Sequence, residues 1–192
     1  VLTKAFNSGL IGLEARLLAV KDTEFNTAFS RLLELYGSRG PNEWELRSQT
    51  WETHPELALT LIDRMRLAED DQDPQIRHQE ARERSSIALS ELRTMVSADE
   101  TSAGTLEIAV TSSSVFIPAR ENAKTAIVKI VHEVRLAALE LGRRLAEDGR
   151  LEHHKHIFML QDKELEEAIA GNMAKEASDR EKQYLQLFNL TP

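Results

Sequence analysis

Three cations in the second half of the chain, Arg120, Lys124 and Arg135, have the type and spacing to handle a phosphoryl group. On an α-helix, at ~100° per residue, they fall within roughly 60° of one another. Arg120 and Lys124 are one turn apart and can converge on a single anion. Charge-assisted contacts from Arg and Lys are what the oxygens of a phosphoryl group in transit need. A plainer reading stands beside this one. Glu121 lies three residues before Lys124, the spacing of an ordinary surface ion pair. Long basic side chains also border apolar seams by laying their stems along them.

Other chemistry is thinly supplied. His153, His154 and His156 form the run HHKH, but it lacks the helical pairing of an H-E-x-x-H site and no Cys accompanies it. A solvated loop is expected there, with no metal. His132 falls ~60° from Arg135 and off the apolar seam, which predicts a polar contact. The phosphate-cradling patterns G-x-x-x-x-G-K-[ST] and G-x-G-x-x-G do not occur, nor does G-x-S-x-G. No complete catalytic apparatus is written in this chain.

The element that must position the cations is a long helix, expected over about residues 119–148. Ala123, Ile127, Ile130, Val134, Ala137, Leu141 and Leu145 recur at steps of four and three, one helical face. Pro118 is expected to end the helix before it. Gly149 offers a left-handed C-terminal cap, and Arg143 and Arg144 suit the negative end of the helix dipole. About 30 residues at ~1.5 Å each give a rod of roughly 45 Å, along which other helices should pack.

Earlier in the chain, residues 1–19 read as one helix with Leu10, Leu13, Leu17 and Leu18 inward. A short link, Val20–Thr23, leads to a second helix carrying Phe25, Phe29, Leu32, Leu33 and Tyr36 and closed by Gly37. Asp22 or Thr23 is its expected cap. Residues 37–53 break regular structure yet hold both tryptophans, Trp44 and Trp51. Both rings are expected to plug a core edge, with the charges of Arg39, Glu43, Glu45 and Arg47 paired locally. His54-Pro55-Glu56 opens a helix to about Leu67 with Leu57, Leu61, Ile62 and Met65 inward. An acidic turn over 68–74 precedes a highly charged helix to about Val96, whose polar first half should lie on the surface. Residues 97–104 read as a loop or an irregular start, before a helix with Leu106, Ala109, Val110 and Phe116. Beyond Gly149, Ile157 to Leu160 form a short run read as extended. Asp162 is the expected cap of a short helix with Leu165 and Ile169 inward, and a last helix covers roughly 174–188.

Composition agrees with this. Of the 192 residues 41% are hydrophobic and only 5% aromatic, with Ala, Leu, Glu and Arg dominant, so an all-α fold is expected. One helical domain over 1–192 is expected. The net charge of -8 disfavours general binding to nucleic acid or to an anionic membrane, though it leaves room for one local anion site. The absence of Cys fits a reducing compartment, hence a cytoplasmic expectation. No apolar run approaches the ~20 residues of a membrane span. The chain does not begin with Met and stops at Leu190-Thr191-Pro192, so a piece of a larger protein is expected.

Two segments, YGSRGPNEWELRSQTWETHPEL and RENAKTAIVKIVHEVRLAALELGRRLAEDGRLEHHKHIFMLQDKEL, carry a resemblance across about residues 35 to 170. The first is similar to a Gly-x-Arg-Gly-Pro-x-Glu stretch. The second is similar to an Arg-Glu-x-x-Lys start leading into a long helix. Together they resemble the central helical region of phosphoenolpyruvate-utilising phosphotransferases, the phosphoenolpyruvate synthase and pyruvate phosphate dikinase-like group. The nearest likeness is to its rifampicin phosphotransferase branch. The HHKH loop departs from the Asp/Glu/Pro-rich linker of that family.

The resemblance implies a multidomain enzyme. An ATP-grasp domain, using ATP and Mg, would supply the phosphoryl donor. A small swivelling domain would carry it as a phosphohistidine, and the helical domain would bind a small-molecule acceptor. The motifs of the first two domains are missing here, so this chain is not expected to act alone. By position, Arg120 and Lys124 match the family's basic pair beside the incoming phosphohistidine, and Arg39 and Glu43 match its loop motif. Arg39, Glu43 and Arg135 are the expected substrate-side residues. The rival expectation is a stand-alone helical ligand-binding or interaction module without catalysis.

Overall fold

The computed structural model describes residues 2–9, 11–19, 23–68 and 73–188. Among the described residues there is no strand, and the fold is all-α. The elements are α1 (Leu2–Asn7), α2 (Leu13–Ala19), α3 (Thr23–Tyr36), α4 (Pro55–Arg66), α5 (Pro74–Val96), α6 (Glu100–Glu147), a 3₁₀ helix (His154–Met159), α7 (Asp162–Ala170) and α8 (Ala174–Phe188). Contacts divide the chain into two compact units. The first holds Val1–Leu35 and His54–Ala126, the second Tyr36–Thr53 and Ile127–Pro192.

In the first unit the core forms where short helices meet. Ala5, Phe6, Leu13, Leu17 and Leu59 are buried together, with Phe25, Phe29 and Ile62 packed against them. Phe6 meets Phe25 edge-on at 6.3 Å, and Phe25 stacks on Phe29 at 5.9 Å. Residues 1–19 are not one helix. Gly9 and Gly12 adopt φ of 92° and 67°, which an L side chain rarely accepts, and the chain turns between α1 and α2. Arg16 ties this turn down by donating to the carbonyls of Ile11, Gly9 and Ala5. Leu10, Val20–Asp22, the side chains of Leu18 and Thr23, and residues 69–72 of the acidic turn lie outside the described residues.

Helix α4 buries a different edge from the one expected. Ala58 and Leu59 are buried, whereas Leu61 is 42% and Met65 59% exposed. Helix α5 starts at Asp73, whose carboxylate accepts from the Gln75 amide at 2.8 Å, with Pro74 at the first helical position. Its polar first half lies on the surface as expected, and its second half buries no residue either, with Ile87, Leu92 and Met95 exposed. Asp99 then opens α6 by accepting from Thr101 and Ser102. These bonds hold its carboxyl below the usual range, the Ser102 hydroxyl most of all. Arg93 and Glu107 make a two-toothed ion pair of 2.6 and 2.9 Å between α5 and α6.

The long helix is present and is longer than its periodicity suggests. It runs from Glu100 with Pro118 inside, so the expected break at Pro118 does not occur. The ring's fixed φ is itself helical. The Ser114 carbonyl that loses its N–H partner sits on an exposed turn, open to solvent.

In the second unit, α6 from Ile127 packs with the remaining elements. Leu145, Leu151, Ile157, Ala168 and Ala177 form the core. Gly149 caps the helix with φ 70°, and the Arg150 amide returns to the Leu145 carbonyl at 2.8 Å. The segment expected to be extended, Ile157 to Leu160, is largely the 3₁₀ helix, because the chain must turn sharply to press Ile157 inward. A Cβ on Gly142 would meet the His154 carbonyl at 2.1 Å, so this glycine admits the 3₁₀ backbone against α6. Helix α7 is capped at Gln161, one residue before Asp162. The Gln161 amide donates to Glu164 at 2.8 Å. Its inward side chains are Ala168 and the half-buried Leu165, while Ile169 is 52% exposed. Arg180 of α8 grips Glu164 at 2.5 and 2.6 Å.

Gly142→Ala should lower the unfolding free energy by roughly 1–3 kcal/mol, since backbone must shift to admit the methyl group; urea denaturation measures it. The Arg180 guanidinium holds the Glu164 carboxyl at about 2 against an ordinary 4.5. A depressed carboxylate stabilises fully above its unfolded value and loses that contribution as pH falls through its folded one. Wild-type stability should therefore drop between about pH 4.5 and 2. Glu164→Gln should show a shallower drop in acid-titrated thermal melts.

Candidate functional site: a loop pinned by a buried arginine and a basic edge on α6

Residues 37–53 are irregular but closed. The Trp51 amide donates to the Arg39 carbonyl at 2.8 Å, and the Glu52 amide to the Gly37 carbonyl at 2.9 Å. Where the two arms cross, a Cβ on Gly40 would lie 2.3 Å from the Gln49 carbonyl, so the crossing requires glycine. Thr50 is fully buried, and its hydroxyl meets that of Thr53 at 3.1 Å. Arg39 and Glu43 form an ion pair of 2.8 Å one turn apart, as the local pairing of charges predicts. Trp44 does not plug a core edge. It is 54% exposed, because the turn that aims backbone carbonyls inward leaves this ring outside. Trp51 is half-buried.

Arg135 holds the loop from within the second unit. It is 1% exposed, and its planar fork donates to the carbonyls of Leu46 (3.1 Å), Glu45 (2.9 Å) and Glu43 (3.2 Å). A fourth bond joins Nη1 to His132 Nδ1 at 3.1 Å. A guanidinium only donates, so Nδ1 accepts and the His132 proton sits on Nε2, which donates to Glu52 at 2.9 Å. The polar contact predicted for His132 is thus present. Burial pushes the Arg135 guanidinium down from its ordinary value, and the nearby Glu45 charge pulls it back up.

Arg120 and Lys124 belong to the first unit. Arg120 is exposed and pairs with Glu121. Lys124 is half-buried on the next turn. The three cations expected to share one stripe therefore divide. Arg39, Glu43 and Arg135 come together around the loop, and Arg120 and Lys124 stand on α6 in the other unit.

A second ionic cluster in the second unit escaped sequence reasoning. Glu181 of α8 accepts from Arg47 at 2.9 Å and from His156 Nε2 at 3.1 Å. Arg47 also lies 4.4 Å above the Tyr184 ring. The partners are far apart in sequence, so spacing carries no sign of them. The rings of His153 and His154 lie 4.1 Å apart, tilted by 38°, and burial followed by the charges of His153 and Lys155 lowers the His154 pKa. Among the described residues no group of three or more His, Asp or Glu side chains is arranged to hold a metal ion. None of their helices is long and apolar enough to cross a membrane.

Arg135→Ala should weaken the second unit by roughly 3 kcal/mol, because three inward carbonyls and His132 lose their donor together. Hydrogen exchange at the Trp51 and Glu52 amides should rise in parallel. Arg135→Lys should recover only part of the loss, since an ammonium lacks the fork.

No curated protein and no solved structure matches the chain. A family model described as "Rifampicin phosphotransferase fourth domain" matches residues 3–121, which takes in α1 to α5, the closed loop and α6 as far as Arg120 and Glu121. The match covers more than half of the 192 residues. The chain belongs to the rifampicin phosphotransferase fourth-domain family.

Proposed function

We propose that this chain is the acceptor-binding helical domain of an ATP-dependent phosphotransferase of the rifampicin phosphotransferase or phosphoenolpyruvate synthase type. The observation that carries this reading is the pair Arg120 and Lys124, one turn apart on α6, with Arg120 open to solvent at the edge of the matched region. Among the described residues Arg120 pairs with the carboxylate of the adjacent Glu121. An exposed pair of this kind contributes little, so a dianionic phosphoryl group can displace it.

In this reading the ATP-grasp domain, with ATP and Mg, charges a histidine on the swivelling domain, and both belong to the same polypeptide. An acceptor oxygen attacks the phosphorus and the phosphorus–nitrogen bond breaks. The electron pair returns to the imidazole, and the acceptor's proton leaves to solvent or a base. Over the full cycle, ATP, water and acceptor give AMP, inorganic phosphate and phosphorylated acceptor. Arg120 and Lys124 neutralise the charge spread over the phosphoryl oxygens. Within the second unit, Arg39 and Glu43 brace the loop by their ion pair, and Arg135 keeps that loop in place.

The test uses the enzyme containing all three domains. Arg120→Ala and Lys124→Ala should each lower AMP release with acceptor by roughly 10²-fold with little change in melting temperature. Glu121→Gln should leave turnover near wild type. Unchanged turnover in both alanine variants would sink the role of the pair. Acceptor binding unaffected by removal of the other two domains, with no ATP-dependent product, would favour a non-catalytic module.

A further inference from the structure

The closed loop, the start of the 3₁₀ helix and the last turns of α8 surround a cleft of about 510 Å³ in the second unit. Its walls are braced by the contacts of Arg47 with Glu181 and Tyr184, and of Glu181 with His156. Arg47 and Glu181 are thus paired with each other, and His156 Nε2 with Glu181. Glu45, on the rim, is engaged by the Arg47 amide at 3.1 Å. Lys155 is different. It lines the cleft, is half-buried, and its ammonium has no ion pair or hydrogen bond among the described residues. An ammonium without a partner in a cleft favours an anion beside it. The cleft is also lined by Tyr184, 38% exposed, and Leu185, 47% exposed, from α8 and by Gln49 from the loop.

We propose that this cleft binds a small aromatic anion, a planar ring bearing a phosphate or a carboxylate. Lys155 receives the anionic group, the ring lies against Tyr184 and Leu185, and Gln49 takes a polar substituent. The site is separate from Arg120 and Lys124 and does not depend on phosphoryl transfer.

Amide NMR titration of the 192-residue chain with phenyl phosphate tests it, with benzoate as the carboxylate arm. Saturable shifts clustered at Gln49, Lys155 and Tyr184 with either probe are expected. Lys155→Gln should weaken binding about fivefold, and Lys155→Arg should retain it. Phenol and inorganic phosphate should each bind more weakly than phenyl phosphate. The spectra report directly whether each variant is folded, and Lys155→Met serves if Lys155→Gln is not. The proposal fails if neither probe saturates in the cleft. It also fails if a folded variant without the ammonium binds as well as wild type, or if inorganic phosphate equals phenyl phosphate.

Discussion

A buried guanidinium must be given oxygen or nitrogen acceptors for its donors, and in this protein Arg135 obtains most of them from main-chain carbonyls. Glu43, Glu45 and Leu46 turn their carbonyl oxygens to one fork, and His132 supplies the remaining acceptor. The requirement runs in both directions. Three carbonyls facing inward from an irregular loop would be left without donors if the arginine were absent. The loop that includes Arg39 and Glu43 thus takes its shape from a residue about ninety positions later in the chain. The family match ends before that residue, so the matched loop is held in place by chain outside the match.

Much of the fold was legible because helices announce themselves locally. The last helix, the charged α5 and the C-terminal end of α6 follow from composition, periodicity, Gly149 and the basic last turns. The misreadings share a physical origin in backbone freedom and tertiary placement. Residues 1–19 hold a helical apolar pattern on both sides of Gly9 and Gly12, and periodicity does not register that those glycines reverse the chain. Pro118 was read as a terminator, but a proline on an exposed helical turn loses one hydrogen bond that water can replace. In α4 and α7 the inward face includes small residues, Ala58 and Ala168, beside Leu59 and the half-buried Leu165. Hydrophobicity alone favours Met65 and Ile169 instead.

The candidate site was legible in its residue types and less so in their grouping. Helical angles place Arg120, Lys124 and Arg135 on one stripe, yet angle says nothing of depth. Arg135 is buried and committed to the loop, while Arg120 faces solvent. The link from Arg47 through Glu181 to His156 joins residues more than a hundred positions apart and leaves no trace in spacing.

The hydrogen bonds from the Arg135 fork to the loop all go to peptide oxygens, and none goes to a loop side chain. An exposed side chain such as Trp44 can therefore be exchanged while the same backbone frame is kept, provided Gly40 remains at the crossing. A scaffold of that kind separates what keeps a loop in shape from what the loop displays. In this protein the chemical face of the loop can change at such exposed positions without re-engineering the chain beneath it.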